Sequence, residues 1–322
     1  MRYRPLGKTA LEVSEIGFGA WGIGKSWWGP TDDAESVRAL VRALELGITF
    51  FDTAYVYGDG HSERLIAQAF RQAGRRGIVA SKVPPKNRQW PAMPGTPIQE
   101  AFPADWIIQC TERTLRNLET DCLDLQQFHV WTDDWVDAPE WQEGVARLKQ
   151  QGKIRFFGVS VNDHEPESVL KLVASGLVDS IQVIYNLFEQ APAERLFPLC
   201  QAHGVGVIVR VPFDEGSLTG TFTPETTFHP EDFRSHYFRG DRLREVCARV
   251  EAFRFLIRDE ITNLAQAALK FCLSHPAVST VIPGMRTVAH VEANAAVSDG
   301  RLLRPEELER VKPLAWRRNF YR

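Results

Sequence analysis

Eight short apolar runs, each followed by an amphipathic stretch, constrain the fold of this chain more than any other feature. The runs are EIGFGAW (15–21), ITFFDTA (48–54), IVASKV (78–83), LDLQQFHV (123–130), FFGVSV (156–161), SIQVIYN (180–186), VGVIVRV (205–211) and STVIPGM (279–285). They are continuous rather than alternating, as parallel strands are when helices cover them. In the stretch DAESVRALVRALELG, Val37, Leu40, Val41 and Leu44 share one helical face. Thr31 or Asp32 supplies its N-cap and Gly47 its stop. Eight such units in succession predict an α/β fold, a single (β/α)8 TIM barrel over residues 1–322. A doubly wound open sheet is the competitor, weakened because no GxGxxG follows the first run. YRPLGKTALEVS, ahead of the first run, reads as an N-terminal β-hairpin that plugs the barrel.

Barrel active sites are built from the loops at the C-terminal ends of the strands. Two long segments leave the chain there. Residues 84–105, rich in Pro, follow the third run, and residues 214–241 follow the seventh. Each carries aromatic residues suited to covering a pocket, as does the tail after Arg304.

Composition removes several classes. With 38 Lys and Arg against 41 Asp and Glu, the charge is near zero and scattered. That argues against nucleic-acid or membrane partners. No apolar run approaches the ~20 residues of a membrane span, and the N-terminus lacks the apolar segment of a signal peptide. Cys110, Cys122, Cys200, Cys247 and Cys272 are odd in number, form no CxxC, and mostly sit in apolar runs. They read as reduced thiols of a cytoplasmic protein, with neither disulfide nor metal site expected.

Four polar residues stand at or just beyond strand ends: Asp52 and Tyr57 in FFDTAYVYGDGHSE, Lys82 in IVASK, and His129 in CLDLQQFH. Each alone has an ordinary reading as cap, packing group, solvated charge or core histidine. Together on one rim they can hold a phenol, an ammonium, a carboxylate and an imidazole around one point. Tyr57 would be a general acid whose phenol is lowered by Lys82, with Asp52 orienting Lys82 and His129 polarising a carbonyl oxygen.

These motifs, with GFGAWG (17–22), GVSVN (158–162), IQVIYN (181–186), VPFDEGSLTG (211–220) and VIPGMRTVAHVEAN (281–294), resemble the aldo-keto reductases along nearly the whole chain. The resemblance implies NADPH-dependent reduction of aldehydes or ketones, with Asp52, Tyr57, Lys82 and His129 as the catalytic tetrad. It implies cofactor contacts from Gly19, Ala20, Trp21 and Asp52, and from Ser160, Asn162 and Gln182 at the nicotinamide amide. The stretch Val211, Pro212, Phe213, Gly216, Ser217 and Gly220 would cover the pyrophosphate. Gly284, Arg286, His290 and Asn294 would take the adenosine end, with Arg286 on the 2′-phosphate. A guanidinium at a helix N-terminus suits that dianion, which favours NADPH/NADP+ over the NAD forms.

The chain departs from the family pattern in places. Val161 separates Asn162 from Ser160, whereas some members place Asn directly after Ser. Ala293 stands where an acidic residue is common. Arg210 replaces an aromatic residue beside the nicotinamide; its charge would disfavour NADP+ relative to NADPH. Trp21, Tyr57, Trp90, His129 and Trp131 are expected to line the substrate pocket. A second reading of the same site is a nicotinamide-binding regulatory protein similar to potassium-channel β subunits, with slow or no turnover. A barrel hydrolase or isomerase is a third, and gives the quartet no role.

Overall fold

A computed structural model describes residues 1–25 and 27–322. Strands β1 (Tyr3–Pro5) and β2 (Glu12–Ser14) pair antiparallel as the expected hairpin. Eight further strands match the eight apolar runs: β3 (Phe18–Gly19), β4 (Phe50–Asp52), β5 (Ile78–Val83), β6 (Leu123–Phe128), β7 (Ile154–Ser160), β8 (Ser180–Ile184), β9 (Gly206–Arg210) and β10 (Val278–Val281). They lie parallel in chain order, β3 through β10. The seam closes where Gly17 N–H donates to the Val281 carbonyl at 2.8 Å and Gly19 N–H to the Pro283 carbonyl at 3.0 Å. A Cβ on Gly19 would stand 2.7 Å from the Ile282 carbonyl oxygen, so only glycine lets the seam approach this closely. This is the predicted (β/α)8 barrel.

β3 and β4 are shorter than their runs. Past Gly19 the chain winds into a 3-10 turn, Trp21–Ile23, and past Asp52 it enters the loop that carries Tyr57. The helix Asp33–Glu45 begins as expected, with Asp32 Oδ1 accepting from Ala34 N–H at 2.8 Å.

Strand side chains alternate between the barrel lumen and the helical layer. That period sorts the lumen into two layers. Near the bottom, Phe50, Ala80, Leu125, Ile208 and Ile282 pack on Leu6, Leu11 and Val13 of the hairpin, an apolar plug. Two residues further along the same strands stand Asp52, Lys82, Gln127 and Arg210. A separate, larger core fills the space between strands and helices. Among the described residues no helix is long and apolar enough to cross a membrane.

Candidate active site

The polar layer is organised by Asp52. Its Oδ1 accepts from Lys82 Nζ at 2.6 Å, and its Oδ2 from Gln182 Nε2 at 2.6 Å and Gln127 Nε2 at 3.4 Å. Lys82 Nζ also donates to the Thr53 carbonyl at 2.7 Å. Both charges are fully buried. A buried ion pair persists when its remaining donors and acceptors are satisfied, and these are. Gln127 was missed by the sequence reading. The signal was available: Gln127 lies two residues past Leu125, as Lys82 lies two past Ala80.

Above the pair sits Tyr57. Its loop is fixed by Tyr57 N–H to the Ala54 carbonyl at 3.0 Å and by the close approach of Gly58 to the Gly24 carbonyl, where a Cβ would lie only 2.1 Å away. Lys82 Nζ lies 5.2 Å from the centre of the Tyr57 ring. His129 extends the β5–β6 pairing through its N–H to the Val83 carbonyl at 3.0 Å. Its ring stands 5.8 Å from that of Tyr57. The four residues therefore converge.

Their electrostatics differ from the expectation in one respect. Burial, reinforced by the charge of Asp52, pushes the Tyr57 phenol up, although Arg210 pulls the other way. The lowering expected from Lys82 does not prevail, because desolvation of a phenolate outweighs one ammonium already committed to Asp52. Lys82 is itself pushed down by burial against the pull of Asp52. Burial and the cations Lys82 and Arg210 hold His129 well below the usual histidine range, so its imidazole is neutral at pH 7. Its buried Nδ1 has no hydrogen-bond partner among the described residues.

The mouth is aromatic. Trp21 stacks 6.2 Å from Tyr57, and Trp90, 47% exposed, meets His129 edge-on at 4.6 Å. Phe233 and Trp28 complete the wall at 4.9 and 5.2 Å from Trp21. Phe233 is brought there by its N–H to the Trp27 carbonyl at 2.9 Å, which no sequence period signals. Trp131 does not line this pocket. It is fully buried among Phe128, Trp135 and Trp141, and its indole N–H donates to Asp133 at 3.1 Å.

Three other expectations are redirected. The Asn162 amide is engaged by Ala92 and Glu165 rather than turned toward the lumen. The Ser217 hydroxyl donates to Asp214 at 2.7 Å, leaving only its backbone for a phosphate. Arg210 donates to Asp163 at 2.7 Å and to the Val161 carbonyl at 3.0 Å. The group at that position is thus an ion pair rather than a lone cation.

The remaining candidates stand at strand ends and in the loops beyond them. Ser160 and Gln182 face each other across β7 and β8. Ala20 is tied by its N–H to the Asp52 carbonyl at 2.9 Å, and Val211 by its carbonyl to Asn186 at 2.9 Å. Gly216, with φ +103°, follows Pro212 and Phe213 in a turn that closes at Gly220. The Arg234 guanidinium lies 3.6 Å from where a Gly216 Cβ would be. Arg286 has no ion-pair partner among the described residues; it reaches only the Trp28 and Pro30 carbonyls, at 3.2 and 3.3 Å. Burial and the neighbouring Arg234 push it down against the pull of Asp232, which itself pairs with Arg234 at 2.6 Å. The Arg286 backbone N–H donates to His290 Nδ1 at 3.4 Å, at the start of the helix Val288–Ala295 that buries Asn294. Gly284 bridges Gly19 nearby. The acids beneath the turn do not repel a phosphate: Asp214 is matched by Arg318 at 2.6 Å, and burial pushes Glu215 up to about 8.

The chain is similar to known proteins along nearly its whole length. The Aldo/keto reductase family model matches residues 15–315. The aldo-keto reductase YhdN of Bacillus subtilis is 32% identical over 305 residues, covering 92% of this chain and 89% of that protein. An NADH-specific methylglyoxal reductase of Escherichia coli is 26% identical, covering 96% of this chain and all of its own length, 100%. The glycerol dehydrogenase AKR11B4 of Gluconobacter oxydans superposes with a TM-score of 0.79 at 28% identity, covering 97% and 94% of the two chains.

Proposed function

The chain belongs to the aldo/keto reductase family, and on that premise we propose that it reduces small aldehydes or ketones with NADPH, using Tyr57 as the general acid. The observation that carries the reading is the convergence of Tyr57 and a neutral His129 over the buried Asp52–Lys82 pair. When bound, a reduced nicotinamide supplies the hydride. Ser160 and Gln182 would hold its amide, and Gly216, Arg234 and Arg286 would hold the phosphates.

His129, being neutral, offers an N–H to the substrate oxygen without competing for its proton. Tyr57 keeps its proton until that oxygen becomes an alkoxide, which is the stronger base. The phenolate left behind faces the Lys82 ammonium, and Asp52 keeps that ammonium in place. Trp21, Trp90 and Phe233 exclude water from the carbonyl.

Arg286 supports NADPH over NADH, since a half-buried guanidinium with no ion-pair partner among the described residues has donors left for an anion. The similarity to an NADH-specific enzyme makes cofactor choice a measurement to perform. NADPH and NADH oxidation are followed across aldehydes, ketones and sugars, with Tyr57→Phe as control. The parent turns over with NADPH, and Tyr57→Phe loses about 10²–10⁴ of kcat. Full activity in Tyr57→Phe overturns the assignment. Tight NADPH binding with no turnover on any carbonyl identifies a regulatory nicotinamide binder instead.

A further inference from the structure

Asn162 lies two residues beyond β7 and is 4% exposed. Its amide grips one residue of the loop 84–105 from both sides. Oδ1 accepts the Ala92 N–H at 3.2 Å, and Nδ2 donates to the Ala92 carbonyl at 3.0 Å. A side-chain amide can satisfy both polar groups of a peptide residue in this way, acting as a short piece of neighbouring strand. Nδ2 is further fixed by Glu165 at 3.1 Å.

The rest of the loop is anchored elsewhere. Lys86 N–H reaches the Ala101 carbonyl at 2.8 Å, Gly95 N–H reaches Asp134 at 2.8 Å, and Trp135 reaches the Thr96 carbonyl at 2.7 Å. Between Lys86 and Gly95, the hydrogen bonds that tie the loop to the barrel rim come from Asn162, among the described residues. Trp90 stands in that interval, two residues before Ala92, with its ring edge-on to His129.

We propose that Asn162 is a positioning residue for the substrate wall: by clamping Ala92 it fixes Trp90 over His129, and it governs carbonyl binding rather than cofactor binding. The inference rests on reading the Tyr57–His129 site as a carbonyl reductase site. The one-residue offset between Ser160 and Asn162 supplies the cause. Val161 takes the position directly after Ser160 and turns into the core. Asn162 then faces outward, to the loop.

The test compares Asn162→Ala, Trp90→Ala and the double variant. Three quantities are read: KM and kcat for a bulky aldehyde, NADPH affinity by fluorescence titration, and acrylamide quenching of Trp90, taken as the difference from Trp90→Phe. Each single variant raises KM about tenfold, and the double variant is no worse than either, as for two members of one unit. NADPH Kd stays within about twofold in Asn162→Ala, while Trp90 quenching increases. A tenfold or larger loss of NADPH affinity, with KM effects that add, overturns the proposal and returns Asn162 to the nicotinamide. If Asn162→Ala does not fold, Asn162→Asp serves, because it keeps the acceptor for Ala92 N–H and loses the donor. The quenching arm needs no turnover. Unchanged Trp90 quenching refutes the clamp even if no carbonyl is reduced, and increased quenching without turnover refutes only the reductase reading.

Discussion

Tyr57 holds its proton more tightly than a free phenol, because burial and Asp52 both oppose the phenolate. An acid is lost to catalysis as pH rises through its own pKa, so that loss is displaced above the ordinary tyrosine value of about 10. His129 is displaced the other way, well below its ordinary value. Reduction by this site is therefore expected to show no histidine limb near neutrality, and its alkaline limb is set by loss of the Lys82 ammonium, which burial pushes down from the ordinary lysine value of about 10.4, before Tyr57 itself titrates. A pH–rate profile under saturating NADPH checks this, and a break near pH 6.5 would show that His129 titrates as an exposed residue. The quartet was legible in the sequence because each member stands at or just beyond the C-terminal end of an apolar run. Residues whose role depends on where a neighbouring loop lies were not legible. Trp131, just past His129, and Trp90, in the loop 84–105, both read as candidates for the substrate wall. Only the fold shows that one joins the aromatic core and the other hangs over His129.

At the scale of elements, the segment 214–241 and the tail fasten each other. Arg318, 7% exposed, stacks between Trp316 and Phe320 and pairs with Asp214 at 2.6 Å. The Tyr321 hydroxyl donates to Glu215. Burial pushes Glu215 up to about 8, whereas in the unfolded chain it ionises near about 4.3. Between those values the fold retains a proton that the unfolded chain has released. The contribution of Glu215 is full below about pH 4.3 and is lost as pH rises to about 8, on the order of a few kcal/mol. Glu215→Gln keeps an acceptor for Tyr321 and removes the ionisation. Its melting temperature is expected to gain on that of the parent as pH rises from about 5 to about 8, and parallel curves would assign the pH dependence elsewhere. The same segment brings Arg234 between the Gly216 turn and Arg286. Arg286→Ala is expected to weaken NADPH about 10–100-fold and NADH less than about twofold, while Arg234→Ala weakens both, as titrations with each cofactor will read. The sequence placed Arg286 through its motif. It could not place Arg234, which reaches the site through a loop without a hydrophobic period.

For the whole molecule, the two lumen layers divide the work. The period of two that puts Phe50, Ala80 and Leu125 on the hairpin also puts Asp52, Lys82 and Gln127 in the next lumen layer, toward the C-terminal ends of the strands. Leu6 tests the division. It is fully buried beneath β9, where a Cβ on Gly206 would lie 2.6 Å from Leu6 Cδ1. Removing its side chain leaves a void that the hairpin cannot refill without lifting β1 from the barrel. Leu6→Ala is expected to cost about 2–4 kcal/mol in chemical denaturation. NADPH affinity and the pH–rate profile should stay those of the parent, since the cofactor and Tyr57 meet the barrel at its other end. A loss of affinity matching the loss of stability would mean that the plug shapes the polar layer. The hairpin would then belong to the site rather than to its support.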